Sequence, residues 1–273
     1  MKLNDYFTTH PVFTFEEIAA FLSKDGPSSK TSTIYNILSY HVKQGHIKRI
    51  RRGLYCRVPA GIEASSFICD SFLLASKLAP DAVLGYRTAL DFFGKLHTVQ
   101  NEFVYFSKQH ANTPFVFQGA SYRAVSIPIA LENAHATNFA VKSYDRQGEK
   151  IQVTTLERTI VDVLDRPYLC GSWEEIWLSL ESIEYLNLNE VLQYALLLGN
   201  ATTIAKLGFY LDTHKNELMV SDVYLSELSK HIPNSRSYLD KKSKSPQHLI
   251  SRWNLFVPDS ILHHSWEEPN ENI

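Results

Sequence analysis

Apolar residues recur three and four positions apart early in the chain. Phe15, Ile18, Ala19 and Leu22 form one stripe, and Ile34, Ile37, Leu38, His41 and Val42 form another. Each stripe predicts an amphipathic helix, one from Phe15 to Ser23 and one from about Lys30 to Gln44. Thr14 stands where it can cap the first, with Glu17 three residues on to complete a capping box. Asp25-Gly26-Pro27-Ser28-Ser29 breaks the chain between the two, and Gly45 stops the second. Alternation then replaces the helical period. Ile47 and Ile50 mark a strand, Arg51-Arg52-Gly53 turns it, and Leu54-Tyr55-Cys56-Arg57-Val58 returns. Helix, turn, helix and hairpin in that order predict a winged helix-turn-helix over residues 1–60.

A boundary is expected at Pro59-Ala60-Gly61, with a second domain over 61–273. Its first part, about 61–153, alternates helix and strand signals. Phe67, Leu73, Leu74 and Leu78 predict a helix ended by Pro80, and Tyr86–Phe93 one closed by Gly94. Strands are expected over Glu102–Ser107, Pro114–Gln118, Tyr122–Pro128 and Phe139–Tyr144, with Gln147-Gly148 turning into Lys150–Val153. From Thr154 the pattern is helical. Thr154-Thr155-Leu156-Glu157 reads as a capping box, Asp165-Arg166-Pro167 as a stop, and Trp173–Tyr185, Leu188–Leu198 and Ala201–Leu211 as further helices. The polar, basic stretch from Ser235 to Ser245 is expected to be a loop, with Trp253 and Phe256 anchoring the chain end. The fold class is therefore α+β: a winged helix-turn-helix, a mixed α/β lobe and a mainly helical lobe over about 154–273.

Charge sharpens this division. The formal net charge of −2 hides nine basic side chains against four acidic ones in residues 1–60, a net of +5, so the remainder carries −7. A cationic head on an anionic body suits a nucleic-acid-binding module joined to one with another task. The 273 residues, 44% hydrophobic and 12% aromatic, suffice to fill more than one core. Cys56, Cys69 and Cys170 lie far apart with no CxxC pair, so reduced thiols in a cytoplasmic protein are expected. No secretory leader is expected from the polar opening Met1-Lys2-Leu3-Asn4-Asp5, and no aliphatic stretch is long enough to span a bilayer.

The candidate chemistry lies in the head. Helical phase leaves Ser32, Thr33, Tyr35, Asn36, Ser39, Tyr40 and Lys43 on the outer face of the second helix, with Ser29 and Lys30 at its entry. Such uncharged, hydrogen-bonding groups suit base edges. Asn36 has the geometry to pair with adenine, worth about 1–3 kcal/mol of discrimination. Lys48, Arg49, Arg51 and Arg52 on the hairpin suit the phosphates of double-stranded DNA, releasing counterions on contact. No catalytic residue, metal site or cofactor is expected. Asp145, Glu149 and Lys150 miss the D…ExK spacing of a nuclease, and His263-His264 beside Glu267 and Glu268 would point opposite ways on an extended segment. No P-loop, GxSxG or GxGxxG occurs. Tyr105, Phe115, Phe117 and Tyr122 alternate as core strand positions do, with a ligand pocket as the alternative.

The segment Gly45-His46-Ile47-Lys48-Arg49-Ile50-Arg51-Arg52-Gly53-Leu54-Tyr55 resembles the wing of the AbiEi-type antitoxins, the antitoxin half of type IV (abortive infection) toxin–antitoxin pairs. Further along, Thr155-Leu156-Glu157-Arg158-Thr159, Asp162 and Asp165-Arg166-Pro167 resemble that family's central helix and its exit. Ala205-Lys206-Leu207-Gly208-Phe209-Tyr210-Leu211-Asp212 is similar to its late element, and Arg252-Trp253-Asn254-Leu255-Phe256-Val257-Pro258 to its closing strand. Lys206 replaces an Arg, and Cys170-Gly171 a Gly pair. The resemblance implies a winged helix that represses its own operon at inverted repeats in the promoter. It also implies an antitoxin domain over 61–273 that counteracts a co-encoded nucleotidyltransferase-like toxin without requiring a stable complex. Independently, one recognition helix and one wing cover few base pairs, so paired half-sites are expected. The alternative is a ligand-responsive winged-helix regulator with no toxin partner.

Overall fold

The computed structural model describes residues 3–23, 30–98, 101–109 and 113–264. The chain divides into two compact units. One is drawn from Met1–Leu84, Asn101–Ser126 and Lys142–Val153, the other from Gly85–Gln100, Ile127–Val141 and Thr154–Ile273.

The first unit opens with α1 (Leu3–Thr9), β1 (Val12–Thr14) and α2 (Phe15–Leu22). Thr14 caps α2 as expected: its side chain accepts from Glu17 N–H while the Glu17 carboxylate accepts from Thr14 N–H at 2.8 Å. Then come α3 (Thr31–Lys43), β2 (Ile47–Arg51) and β3 (Leu54–Arg57). The turn expected at Asp25–Ser29, and Ser29 with it, lies outside the described residues. Two elements that periodicity missed complete this head. β1 pairs antiparallel with β3 (Phe13 opposite Tyr55), making a three-stranded sheet in the order β1-β3-β2. α1 adds Tyr6 and Phe7 to a core of Phe13, Ile18, Ile34, Leu38, Ile47 and Tyr55. Rings carry much of that core, Phe13 stacking on Phe7 at 5.3 Å and on Tyr55 at 5.8 Å.

The same unit continues past the boundary expected at residue 60. α4 (Ser71–Lys77), capped by Asp70, leads to a mixed six-stranded sheet of β4 (Val83–Leu84), β5 (Glu102–Phe106), β6 (Phe115–Phe117), β7 (Ala120–Val125), β8 (Val141–Arg146) and β9 (Glu149–Thr154). The strand order is β6-β7-β5-β4-β9-β8. Gln147 and Gly148 both adopt positive φ, as the expected hairpin turn between β8 and β9 requires. Ion pairs stitch head to sheet, for Lys77 lies 2.5 Å from Glu17 of α2 and 3.2 Å from Glu149 of β9. That is why the compact unit does not end with the wing.

The second unit holds α5 (Arg87–Phe92), α6 (Ile129–Asn133), α7 (Leu156–Asp165), α8 (Trp173–Glu181), α9 (Leu188–Leu198), α10 (Ala201–Thr213), α11 (Asp222–Ser229) and α12 (Asp259–Leu262). It also has a small sheet ordered β10-β12-β11, from Ser237–Tyr238, Leu255–Pro258 and Gln247–Ile250. Ser237–Tyr238 falls in the stretch expected to be a loop. Parallel pairing with β12 orders it where its own composition does not. α7 starts one residue later than the capping box read from sequence. Thr155 is the cap, accepting from Arg158 N–H, while the Thr154 hydroxyl meets that of Thr159 at 2.8 Å. α7 is nearly all buried and carries an internal ion pair. Arg158 Nε donates to Asp162 at 3.2 Å, the Tyr194 hydroxyl donates to the same carboxylate at 2.6 Å, and the Arg158 guanidinium also donates to the carbonyls of Thr137 and Phe139. Buried charges are tolerated only when saturated in this way.

Candidate nucleic-acid interface

The interface begins with the burial phase of α3. Ile34 and Leu38 are buried, Ile37, His41 and Val42 are half-buried, and Ser32, Thr33, Tyr35, Asn36, Ser39, Tyr40 and Lys43 are all exposed. Lys30, the residue preceding the helix, is exposed as well. No carboxylate occurs between Lys30 and Ile62, so this face and the wing carry no acidic residue of their own sequence that would repel a polyanion.

The two tyrosines differ. Tyr35 stacks on Phe15 of α2 at 4.5 Å, so its ring also holds the two helices together. Tyr40 is 57% exposed and touches His41 edge-on. His41 is a packing residue, set against the Phe7 ring, with Nδ1 3.1 Å from Nδ1 of His46. Burial, and then the neighbouring His46, hold its pKa below the ordinary value.

The wing divides its cations. Arg49 lies opposite Tyr55, Lys48 opposite Cys56, and a bulge precedes the pairing of Arg51 with Leu54. Gly53, at φ +78°, supplies the left-handed residue of the turn. Burial pushes the pKa of the Tyr55 hydroxyl up, Arg49 opposes that rise and Tyr35 adds to it. Arg49 and Arg52 are exposed. Arg51 is engaged elsewhere: its guanidinium donates to the Leu78 carbonyl at 2.6 Å and lies 5.7 Å from the centre of the Phe115 ring. Lys48 is half-buried on the sheet face shared with Cys56. Of the four wing cations named from sequence, Arg49, Arg51 and Arg52 are exposed and Lys48 is half-buried, and Arg51 is set apart by its bond to the Leu78 carbonyl.

Other residues weighed from sequence are scattered. Glu149 is nearly buried in the Lys77 cluster, with His10 4.0 Å away, while Lys150 is exposed and 3.9 Å from Asp145. His263 faces Asp259 and His264 faces Glu181, and Glu267 and Glu268 lie outside the described residues. Tyr105 and Tyr122 are buried, Phe115 and Phe117 half-buried, and Phe103 stacks on Tyr122 at 5.4 Å, so these rings pack as strand core. Among the described residues no helix is long and apolar enough to cross a membrane. Sequence reading did miss a cavity of about 730 Å³ between the wing turn and α4, walled by Arg51, Arg52, Lys77 and Lys150 with Glu16 and Glu17. Its walls come from segments far apart in the chain, which no local pattern reveals.

Residues 1–58 match the model of a family described as "Transcriptional regulator, AbiEi antitoxin". No curated protein matches the chain. Among solved structures, the RV2827C protein from Mycobacterium tuberculosis superposes with a TM-score of 0.62 over 97% of this chain and 94% of that one, at 13% sequence identity. At that identity the likeness is one of fold.

Proposed function

We propose that this chain is a DNA-binding antitoxin and transcriptional regulator of the type IV kind, acting in the cytoplasm. In this reading α3 enters the major groove and the wing straddles phosphates. Ser32, Thr33, Asn36, Ser39 and Tyr40 reach base edges or nearby backbone. Lys30, Lys43, Arg49 and Arg52 hold phosphate, and Tyr35 positions α3 on α2. The observation that carries it is the exposed, carboxylate-free outer face of α3 beside the exposed wing arginines Arg49 and Arg52, within the segment matching the regulator family. Copies on paired half-sites of its own promoter would supply the discrimination that one helix lacks. The remainder of the chain would counteract a co-encoded nucleotidyltransferase-like toxin, a role supported by the description of the family matched over residues 1–58 and by the resemblances read in the sequence beyond residue 60.

The direct test is fluorescence anisotropy of a labelled duplex from the upstream promoter, titrated at low salt. Saturable binding tighter than to a scrambled duplex supports the reading, and equal binding to both defeats sequence recognition. Asn36→Ala should reduce the ratio between the two duplexes about tenfold, in line with the loss of one bidentate base contact. Loss of affinity in equal measure on both would assign Asn36 to phosphate. The cavity beside the wing favours a second reading, a regulator that answers to a small ligand. A downstream gene for a nucleotidyltransferase whose toxicity this protein relieves favours the first. A catabolic or transport operon favours the second.

A further inference from the structure

The joint between α3 and the wing is closed by two imidazoles. Gln44 ends the helix, Gly45 reverses the chain at φ +73°, and His46 leads into β2. His46 is tied to both sides. Its N–H donates to the His41 carbonyl at 3.0 Å, and its own carbonyl accepts from Val58 N–H, just past β3, at 2.9 Å. Across this turn Nδ1 of His41 lies 3.1 Å from Nδ1 of His46. The ring centres are 5.3 Å apart, so both nitrogens lie almost on the line joining the rings. That is the arrangement of an N–H···N hydrogen bond, not of two lone pairs converging on a metal. One Nδ1 therefore carries a proton and the other is bare. We propose that His41 and His46 form a proton-controlled latch that holds the recognition helix and the wing in register while one Nδ1 is bare, and that opens, with loss of sequence-specific binding, once both are protonated. The latch rests on the DNA-binding reading of the head.

Proton counting gives the latch its sense. The pair can gain one proton without harm, because an imidazolium still donates its Nδ1–H to the bare Nδ1 of its neighbour. A second proton sets two N–H groups against each other and two positive charges side by side, so the rings must part. The surroundings set where this happens. α1 presents the Phe7 ring to His41, α3 presents Tyr40 edge-on, and the turn presents His46, whose charge acts on it. No carboxylate of the segment from Lys30 to Ile62 is there to hold a doubly charged pair together. Burial, and then His46, keep the His41 pKa below its ordinary 6.5, so the latch is shut at neutral pH and opens as pH falls beneath that value. His46 is exposed, so protons reach the pair from solvent without any opening of the core. The loss falls on discrimination rather than on bulk attraction, since each added proton also raises the positive charge offered to DNA.

The test measures anisotropy of the promoter duplex and of a scrambled duplex at fixed salt, from about pH 7.5 to about pH 5. Nitrogen-15 spectra of the histidine-labelled full-length protein without DNA accompany it, assigned through His41→Gln and His46→Asn. The ratio of the two affinities should hold near neutral pH and fall several-fold on the acid side. The spectra should show one protonated and one bare Nδ1 at neutral pH, and two protonated at the acid end. His46→Asn sets an amide near the place of Nδ1, whose oxygen accepts from His41 in either charge state and does not titrate. Its ratio should match that of the unaltered protein at neutral pH and persist into acid. Two bare Nδ1 atoms at neutral pH, or an acid loss of equal size in His46→Asn, would overturn the latch. So would a ratio that survives in acid while the spectra show both rings charged. If neither duplex binds at neutral pH, the DNA-binding reading itself fails and takes the role of the latch with it, whereas specific binding at neutral pH that is indifferent to acid defeats the latch alone.

Discussion

Arg51 and Arg49 are two residues apart on one strand, yet their surroundings assign them different work. An arginine that neutralises a phosphate adds about 0.9 to the slope of log affinity against log salt, whereas one that clasps a carbonyl within the protein adds nothing. Arg49→Ala and Arg52→Ala should therefore each flatten that slope, while Arg51→Ala should leave it unchanged and lower the melting temperature through a loss of about 1 kcal/mol. Titrations at several salt concentrations, paired with thermal melts, separate the two roles. A flattened slope for Arg51→Ala would return it to the interface. Sequence made the outer face of α3 legible because helical phase follows from spacing alone. It could not divide the wing cations, since the Leu78 carbonyl that takes Arg51 lies 27 residues along the chain. His41 shows a second residue-scale effect. Its folded pKa sits below the ordinary 6.5, so the unfolded chain binds more protons as pH falls beneath that value. Its contribution is flat at higher pH and increasingly destabilising from about pH 6.5 downward, through the depressed folded value. Urea midpoints of His41→Gln should accordingly fall less than those of the unaltered protein between about pH 7.5 and about pH 5. Parallel curves for the two proteins would contradict this.

At the scale of elements, the late motifs of the chain meet in one packing contact. Trp253 is fully buried and lies across α10, its ring against Gly208 and its Nε1 donating to Asp212 one turn further on at 3.0 Å. A Cβ at Gly208 would run into that ring, so Gly208 is there for close approach rather than for a special φ. Gly208→Ala should cost about 1–3 kcal/mol as an overpacking change, despite the better helix propensity of alanine. Denaturant unfolding checks the sign, and a stabilised variant would show that the indole moves aside. The long periodic elements α2, α3, α9 and α10 were legible because each buries a stripe of its own. The two-residue β4 and β10 and the three-residue β1 were not. They carry no period and are ordered by the strands they pair with: β4 by β5 and β9, β10 by β12, and β1 by β3. The α7 start slipped by one residue because Thr154 and Thr155 both have the chemistry of a cap. The hydrogen bond to Arg158 N–H, rather than local composition, selects Thr155.

For the whole molecule, charge and compactness draw different boundaries. Charge changes sign near residue 60, but the first compact unit runs on to Leu84 and takes back 101–126 and 142–153. No single cut in the chain separates the two units. Removing residues 1–60 deletes Glu17 and Arg51, leaving the Lys77–Glu149 pair without its third member and the Leu78 carbonyl without its donor. The second unit keeps its own stabilising contacts, the Arg158–Asp162–Tyr194 network and the Trp253 packing on α10. All four tryptophans lie in the stretch from 154 onward, so indole fluorescence reports that unit alone. For the 61–273 fragment we expect promoter binding to be lost, the far-UV circular dichroism transition to fall to lower temperature, and a cooperative fluorescence transition to persist. Coincident transitions at the full-length temperature would mean that the head contributes nothing to the stability of the sheet. Loss of both transitions would mean that the second unit cannot fold without an intact first.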